Sequence, residues 1–153
     1  MTKEAQFRFK SPNDSPGYLL AHVTILWQRK QKKALDPLGL THTQFVLLAS
    51  LSWLSRENNA VTQVDIANQS NADRMMVSKV LRTLEEKKFI TRREHESDTR
   101  AKTIQLTKTG RETLQKAIDK VENADADFFS AIDANLSSFN ANMLKLIDEN
   151  KGE

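Results

Sequence analysis

Residues 61–93 constrain the fold most, because their pattern fits a short helix, a tight turn, a longer helix and the start of a basic strand. Thr62 stands in an N-cap position, and Asp65 three residues later completes a capping box. Asn71 lies where the chain must turn sharply, and asparagine tolerates the left-handed conformation that such a turn needs. Asp73 then places a negative charge in the first turn of the longer helix, which the helix dipole favours. The stretch therefore predicts a helix-turn-helix.

The longer helix has two chemically different faces. Four apolar residues recur at helical spacing and are predicted to face the core: Val77, Val80, Leu81 and Leu84. The opposite face carries Arg74, Met75, Ser78, Lys79 and Arg82. Such a face suits a DNA major groove, but an ordinary amphipathic helix pair with a solvated basic face shows the same periodicity. The segment beyond residue 93 favours the first interpretation.

Two short strands are predicted over residues 89–94 and 102–107, where Ile104 and Leu106 alternate with polar residues. The connection over residues 95–101 is polar, lacks glycine and is too long for a two-residue turn. A loop of this length beside a basic helix has the shape of a wing. We also expect residues 60–61 to form a short bridge to the second strand. The sequence thus predicts a winged helix.

The charge distribution agrees with a polyanionic partner. Residues 74–111 carry 11 Lys/Arg against 5 Asp/Glu, whereas residues 112–153 carry 4 against 9. The net charge of +3 therefore conceals a basic middle beside an acidic tail. Such segregation indicates that one face meets a polyanion, with chance clustering in a lysine-rich chain as the alternative.

Helices are predicted on both sides of this segment. The first covers residues 18–35 and ends at Pro37 and Gly39; the second begins at a capping box of Thr41 and Gln44. After the hairpin, an apolar stripe extends from a cap at residue 107 to residue 132, residues 134–135 interrupt it, and a final stripe covers residues 136–147. Terminal helices with unburied apolar faces predict a homodimer, with a monomeric bundle as the alternative.

Four segments carry a resemblance to the multiple antibiotic resistance regulator (MarR) family: L-G-L-T-H-T-Q-F at 38–45, T-Q-V-D-I-A at 62–67, residues 73–90, and D-T-R-A-K-T-I-Q-L-T-K-T-G-R at 98–111. Asp98-x-Arg100 followed by Leu-Thr-x-x-Gly is the most specific of these. The resemblance implies a mainly α (α+β) winged helix-turn-helix fold and a homodimeric DNA-binding protein, usually a repressor, often released by a small phenolic or other amphipathic ligand. It implies one MarR-type domain over 1–153, with a DNA-binding lobe at 36–109 and dimerisation helices at 16–35 and 110–150.

The expected partner is therefore double-stranded DNA. The residues predicted to bind it are Thr62, Gln63, Arg74, Met75, Met76, Ser78, Lys79, Arg82, Arg93, His95, Asp98, Arg100 and Lys102. By position, Ser78 and Lys79 match recognition-helix residues of the family. Arg100 matches the wing arginine that enters the minor groove, and Asp98 matches the residue that holds it. The chain departs from the family pattern at Ser70-Asn71, where Leu-Gly is usual, at Met75 and Met76, and at Lys88, where glycine is common.

Composition excludes several classes of function. The chain has no cysteine, so it has no disulfide and no thiolate metal site. No run of transmembrane length and no signal-peptide pattern occurs, so we expect a cytoplasmic protein without membrane contact. No catalytic motif is present, and no enzyme activity, cofactor or metal is expected. A winged-helix adaptor for protein partners and a nonspecific nucleoid-binding protein remain as alternatives.

A ligand cleft has weaker support in the sequence. His22, Trp27, His42 and Trp53 supply polar and aromatic side chains on the helices that border such a cleft in the family. A core or surface role is the more common one for each of them.

Overall fold

The computed structural model describes residues 2–94 and 102–152. Within these ranges the chain forms six α-helices and one antiparallel pair of strands. In chain order they are α1 (Pro16–Leu35), α2 (His42–Leu54), α3 (Gln63–Ser70), α4 (Arg74–Glu86), β1 (Ile90–Glu94), β2 (Lys102–Leu106), α5 (Lys108–Phe129) and α6 (Leu136–Asn150). Short 3-10 turns cover Pro12–Asp14, Asp36–Leu38 and Ser130–Asn135. The predicted mainly α winged helix-turn-helix is confirmed.

Local caps explain where the first two helices begin. The Ser15 hydroxyl accepts a hydrogen bond from the Tyr18 amide at 3.3 Å, and proline follows at the first helical position. Helix α1 therefore starts at residue 16, two residues before the predicted start. The predicted capping box of Thr41 and Gln44 forms in both directions, each hydrogen bond being 3.1 Å long. Gly39, with φ 67°, supplies the left-handed residue between the two helices.

The core lies where α2, α3 and α4 meet the strand pair and the first half of α5. Its fully or nearly fully buried members include Leu47, Leu48, Leu51, Ile66, Val77, Leu81, Leu84, Ile90, Ile104 and Leu114. Three of the four predicted core residues of α4 are completely buried, and Val80 is half-buried against them. Burial of this stripe turns the polar face of α4 outward.

The long C-terminal helix is shorter than predicted. The pattern indicated helix to residue 132, but α5 ends at Phe129 and a 3-10 segment follows. The Ser130 hydroxyl donates to the Asp127 carbonyl at 2.7 Å, and such local bonds compete with the helical ladder. Ile132 leaves the helical region altogether, with φ −119° and ψ 23°. The chain changes direction there, and α6 follows.

The terminal helices leave apolar surface uncovered. Helix α1 packs along α5, whereas α6 contacts mainly the 3-10 turn before it. Large side chains that remain more than half exposed include Leu20, Leu144, Leu146 and Ile147. In the described ranges, no helix combines the length and apolar character needed to cross a membrane.

Candidate nucleic-acid interface

The start of α3 is fixed by its own cap and by the neighbouring strand. The Thr62 hydroxyl accepts from the Asp65 amide at 3.3 Å, and the Asp65 carboxylate accepts from the Thr62 amide at 2.9 Å. Thr62 also pairs with Thr103, while the Ile104 amide donates to the Val61 carbonyl at 2.8 Å. The bridge thus centres on Thr62, one residue beyond the predicted pair, because Thr62 is the last extended residue before the helix. Predicted DNA contacts Thr62 and Gln63 are half-buried at this end of α3.

The turn between α3 and α4 uses the chemistry that the sequence predicts. Asn71 has φ 53° and ψ 34°, which is the left-handed conformation. The Ala72 amide donates to the Ala67 carbonyl at 3.1 Å, and the Ser70 hydroxyl donates to the Ile66 carbonyl at 2.7 Å. These bonds satisfy carbonyls at the end of α3. The turn therefore holds the two helices in a fixed relation.

Asp73 is the N-cap of α4, one position before the first turn in which the sequence placed it. Its carboxylate accepts hydrogen bonds from the amides of Met75 and Met76, at 3.0 and 3.1 Å. Two of the amides at this helix start are thereby satisfied by a negatively charged side chain.

The outer face of α4 presents cations and thioethers. Arg74, Lys79 and Arg82 are exposed, and Ser78 is half-buried at the edge of that face. Met75 is 82% exposed and Met76 is 37% exposed. An exposed helical face that carries Lys79 and Arg82, backed by the buried Val77, Leu81 and Leu84, is able to enter a groove of DNA without disturbing the core.

The strand pair forms the base of the predicted wing. Strands β1 and β2 pair from Ile90 with Leu106 to Glu94 with Lys102, within the predicted ranges but one residue shorter at the inner end of each strand. Ile90 and Ile104 are buried, so the pair is anchored in the core. Lys88, just before β1, has φ 64°, which explains why glycine is common at this place in the family.

Among the predicted wing residues, Arg93 and Lys102 are exposed at the base. His95, Asp98 and Arg100 lie outside the described residues. The sequence analysis did not single out Arg92, whose buried Nε lies 3.8 Å from a Glu85 carboxylate oxygen on α4. This long ion pair connects the wing base with α4, and only the packing of β1 against α4 reveals it.

A second polar cluster lies away from this surface, where α1, α2 and α5 meet. One carboxylate oxygen of Asp125 accepts from the Trp27 indole at 2.8 Å and from the Gln31 amide at 2.6 Å. The His42 ring meets the Trp27 ring edge-on at a centroid distance of 5.1 Å. Burial lowers the pKa of His42 below the ordinary imidazole value, and Asp125 partly opposes that shift.

Two of the four side chains predicted near a ligand cleft are therefore brought together, Trp27 and His42. His22 lies against Tyr18 on the exposed start of α1, and Trp53 is 59% exposed with Arg56 4.4 Å above its ring. Sequence spacing did not reveal Gln31 or Asp125, because their partners lie more than 90 residues away. In the part of the chain that the structure describes, no three potential metal ligands converge.

Comparisons with known proteins identify relatives of the whole arrangement. The MarR family profile matches residues 40–102. The chain is 45% identical to the HTH-type transcriptional regulator YdcH of Bacillus subtilis, over 81% of this chain and 84% of the relative. It is 31% identical to the HTH-type transcriptional repressor Rv2887 of Mycobacterium tuberculosis, over 80% and 86% of the two chains. The fold is similar to that in the S. aureus MepR–DNA complex, with TM-score 0.80 and 26% identity over 88% of this chain and 98% of that one.

Proposed function

This chain belongs to the MarR family of helix-turn-helix transcriptional regulators, and from that premise we propose that it is a homodimeric repressor that binds a pseudo-palindromic operator in double-stranded DNA. The observation that carries the proposal is the exposed face of α4, where Lys79 and Arg82 lie opposite the completely buried Val77, Leu81 and Leu84, with Arg74 exposed at the start of the helix. The family's members are DNA-binding regulators rather than enzymes.

The residues divide into two roles on the DNA. Lys79 and Arg82 on α4, with Arg93 and Lys102 at the wing base, bind phosphates and set the register. Arg74, Met75, Met76 and Ser78 face base edges in the major groove. Thr62 and Gln63, at the fixed start of α3, approach the flanking backbone. The wing carries His95, Asp98 and Arg100, and Arg100 enters the adjacent minor groove, where A·T-rich sequence has an enhanced negative potential.

A homodimer explains the uncovered terminal helices. The exposed apolar side chains of α1 and α6 lie on helices outside the DNA-binding lobe. Several large apolar side chains left exposed on these helices favour an interaction site there. Two copies joined through it carry two recognition helices, and a two-fold axis then requires half-sites separated by about one helical turn. Sedimentation of the purified protein tests the stoichiometry, and a monomer at micromolar concentration would contradict this arrangement.

Binding titrations across salt on selected genomic fragments test the DNA proposal. Each phosphate contact contributes a slope of about −0.9 in log K against log salt. Arg82→Ala in a dimer should therefore reduce the steepness by about two. The control is Lys116→Ala. Lys116 is an exposed cation on α5, away from α4 and the wing base, so this variant should keep the wild-type slope. Arg100→Ala should weaken binding to sites with A·T-rich flanks, and unchanged affinity would remove the wing from the mechanism.

The same titration separates the alternatives. A regulator prefers its own operator over bulk DNA by about three orders of magnitude or more. A nonspecific nucleoid protein shows a similar salt slope but no such preference. An adaptor for protein partners shows neither. A preference below tenfold for every selected fragment would refute the repressor proposal.

We further propose that a small ligand controls the release of the protein from DNA. The cluster of Trp27, His42 and Asp125 joins α1 and α5 to α2, so a molecule inserted there changes the spacing of the two recognition helices. The Asp125 carboxylate favours phenols and other hydrogen-bond donors over anions. A thermal-shift screen with phenolic and amphipathic compounds tests this. A compound counts only if it shifts both the melting temperature and the operator affinity. We place the protein in the cytoplasm, where its DNA lies.

A further inference from the structure

We infer that Met75 reads the 5-methyl group of a thymine, so that each operator half-site contains a thymine under the first turn of α4. This inference rests on the proposed DNA-binding function and specifies what one residue recognises. It starts from an unusual observation, a large apolar side chain that is 82% exposed on the outer face of α4. Val77, two residues further along the same helix, is completely buried, which fixes the face that turns outward.

Met75 lies on the same outer face of α4 as Lys79 and Arg82, nearer to the start of the helix. Residues 75, 78, 79 and 82 follow the three- and four-residue spacing of one helix face. When that face enters a groove, the second residue of the helix meets the base edges, while Lys79 and Arg82 lie one and two turns further along. The Met75 thioether is then withdrawn from water by DNA rather than by protein.

The cap of α4 occupies two backbone donors of its first turn. Asp73 already accepts hydrogen bonds from the Met75 and Met76 amides, so these two backbone donors are not available to a phosphate. The turn contributes side chains instead of backbone donors. Met75 therefore contributes through its side chain, which a groove would bring to the base edges.

The chemistry of the side chain selects the base. A thioether is a weak acceptor and not a donor, so it discriminates poorly among the polar edges of bases. The C5-methyl of thymine is the apolar group that the major groove presents. Methionine is unbranched and polarisable, which lets it adapt to the exact place of that methyl. Met76 is less exposed, at 37%, and is expected to contribute less.

Replacing thymine with deoxyuridine tests the contact, because it removes one methyl group and leaves base pairing unchanged. Each thymine of the footprinted half-site is replaced in turn, in both half-sites of the duplex. Burial of one methyl-sized group changes a binding constant by about fourfold, so two half-sites should lose about fifteenfold at the contacted position. Met75→Ala should bind the two duplexes equally. Met75→Leu, which keeps an apolar end, should retain most of the difference.

The outcomes separate this inference from the proposed function. Wild-type protein that prefers its operator but tolerates deoxyuridine at every position refutes the thymine contact and leaves the repressor proposal intact. An effect of deoxyuridine that persists in full with Met75→Ala assigns the loss to DNA shape and also refutes it. If the wild-type protein shows no preference for its operator over bulk DNA when the DNA is unmodified, the repressor proposal itself is refuted.

Discussion

Gly110→Ala should destabilise the protein through a single methyl group. Gly110 is the third residue of α5 and lies against the backbone of Phe89, just before β1. An ideal Cβ at this position would lie 2.9 Å from the Phe89 carbonyl carbon and closer still to its oxygen. Backbone atoms cannot rotate away as a flexible side chain would, so either α5 or the wing base must move by about 1 Å.

The hydrogen bonds around Gly110 set the size of the effect. The Phe89 carbonyl accepts from the Thr107 amide at 3.0 Å, and the Thr107 hydroxyl caps α5 by accepting from the Gly110 amide at 3.0 Å. Overpacking costs about 1–3 kcal/mol, and weakening one of these bonds adds about 1 kcal/mol. At about 2–4 °C per kcal/mol for a chain of this size, the melting temperature should fall on the order of 10 °C.

The chain contains a matched control, Gly17→Ala. Gly17 is the second residue of α1, and a Cβ there meets nothing within 4 Å. The same substitution should therefore stabilise the protein by about 0.5 kcal/mol, because it restricts the unfolded chain. Urea denaturation of both variants at one protein concentration gives the comparison. A Gly110→Ala protein as stable as wild type, or two variants with the same sign, would refute the close approach of α5 to the wing base.

Three further changes test local features. Asn71→Ala should lower the free energy of unfolding by about 1 kcal/mol because φ is 53° there. In urea denaturation Asn71→Gly should be at least as stable as wild type. Alanine and glycine variants of equal stability would contradict the left-handed turn. Asp73→Ala should lower the free energy of unfolding by about 1 kcal/mol because the cap is lost, whereas Asp73→Ser should retain most of the wild-type stability. An alanine variant as stable as the serine variant counts against the cap. Because burial lowers the pKa of His42, the unfolded state binds a proton more readily, so stability should fall as pH drops below about 6.5. His42→Gln should flatten that pH dependence, and an unchanged profile would assign it to other groups.

Much of the candidate site was predictable because its determinants are local. The polar face of α4 follows from the spacing of Val77, Leu81 and Leu84, which the core buries completely. The wing base follows from alternation around Ile104. The position of Asp73 was predicted one residue too far along: it is the N-cap of α4 rather than a residue of the first turn, and its carboxylate accepts from the Met75 and Met76 amides. The roles of Arg100 and of the other wing-tip residues stay predictions.

The sequence by itself determined the helix starts and the turn, since each depends on side chains that reach only their own backbone neighbours within one turn. The capping boxes at Thr41 and Thr62 and the left-handed Asn71 are of this kind. Tertiary structure alone decided the bonds of Asp125 to α1, the approach of Gly110 to Phe89 and the ion pair between Arg92 and Glu85. These depend on which faces of distant elements meet, and that is set by packing of the whole core rather than by any short stretch of chain.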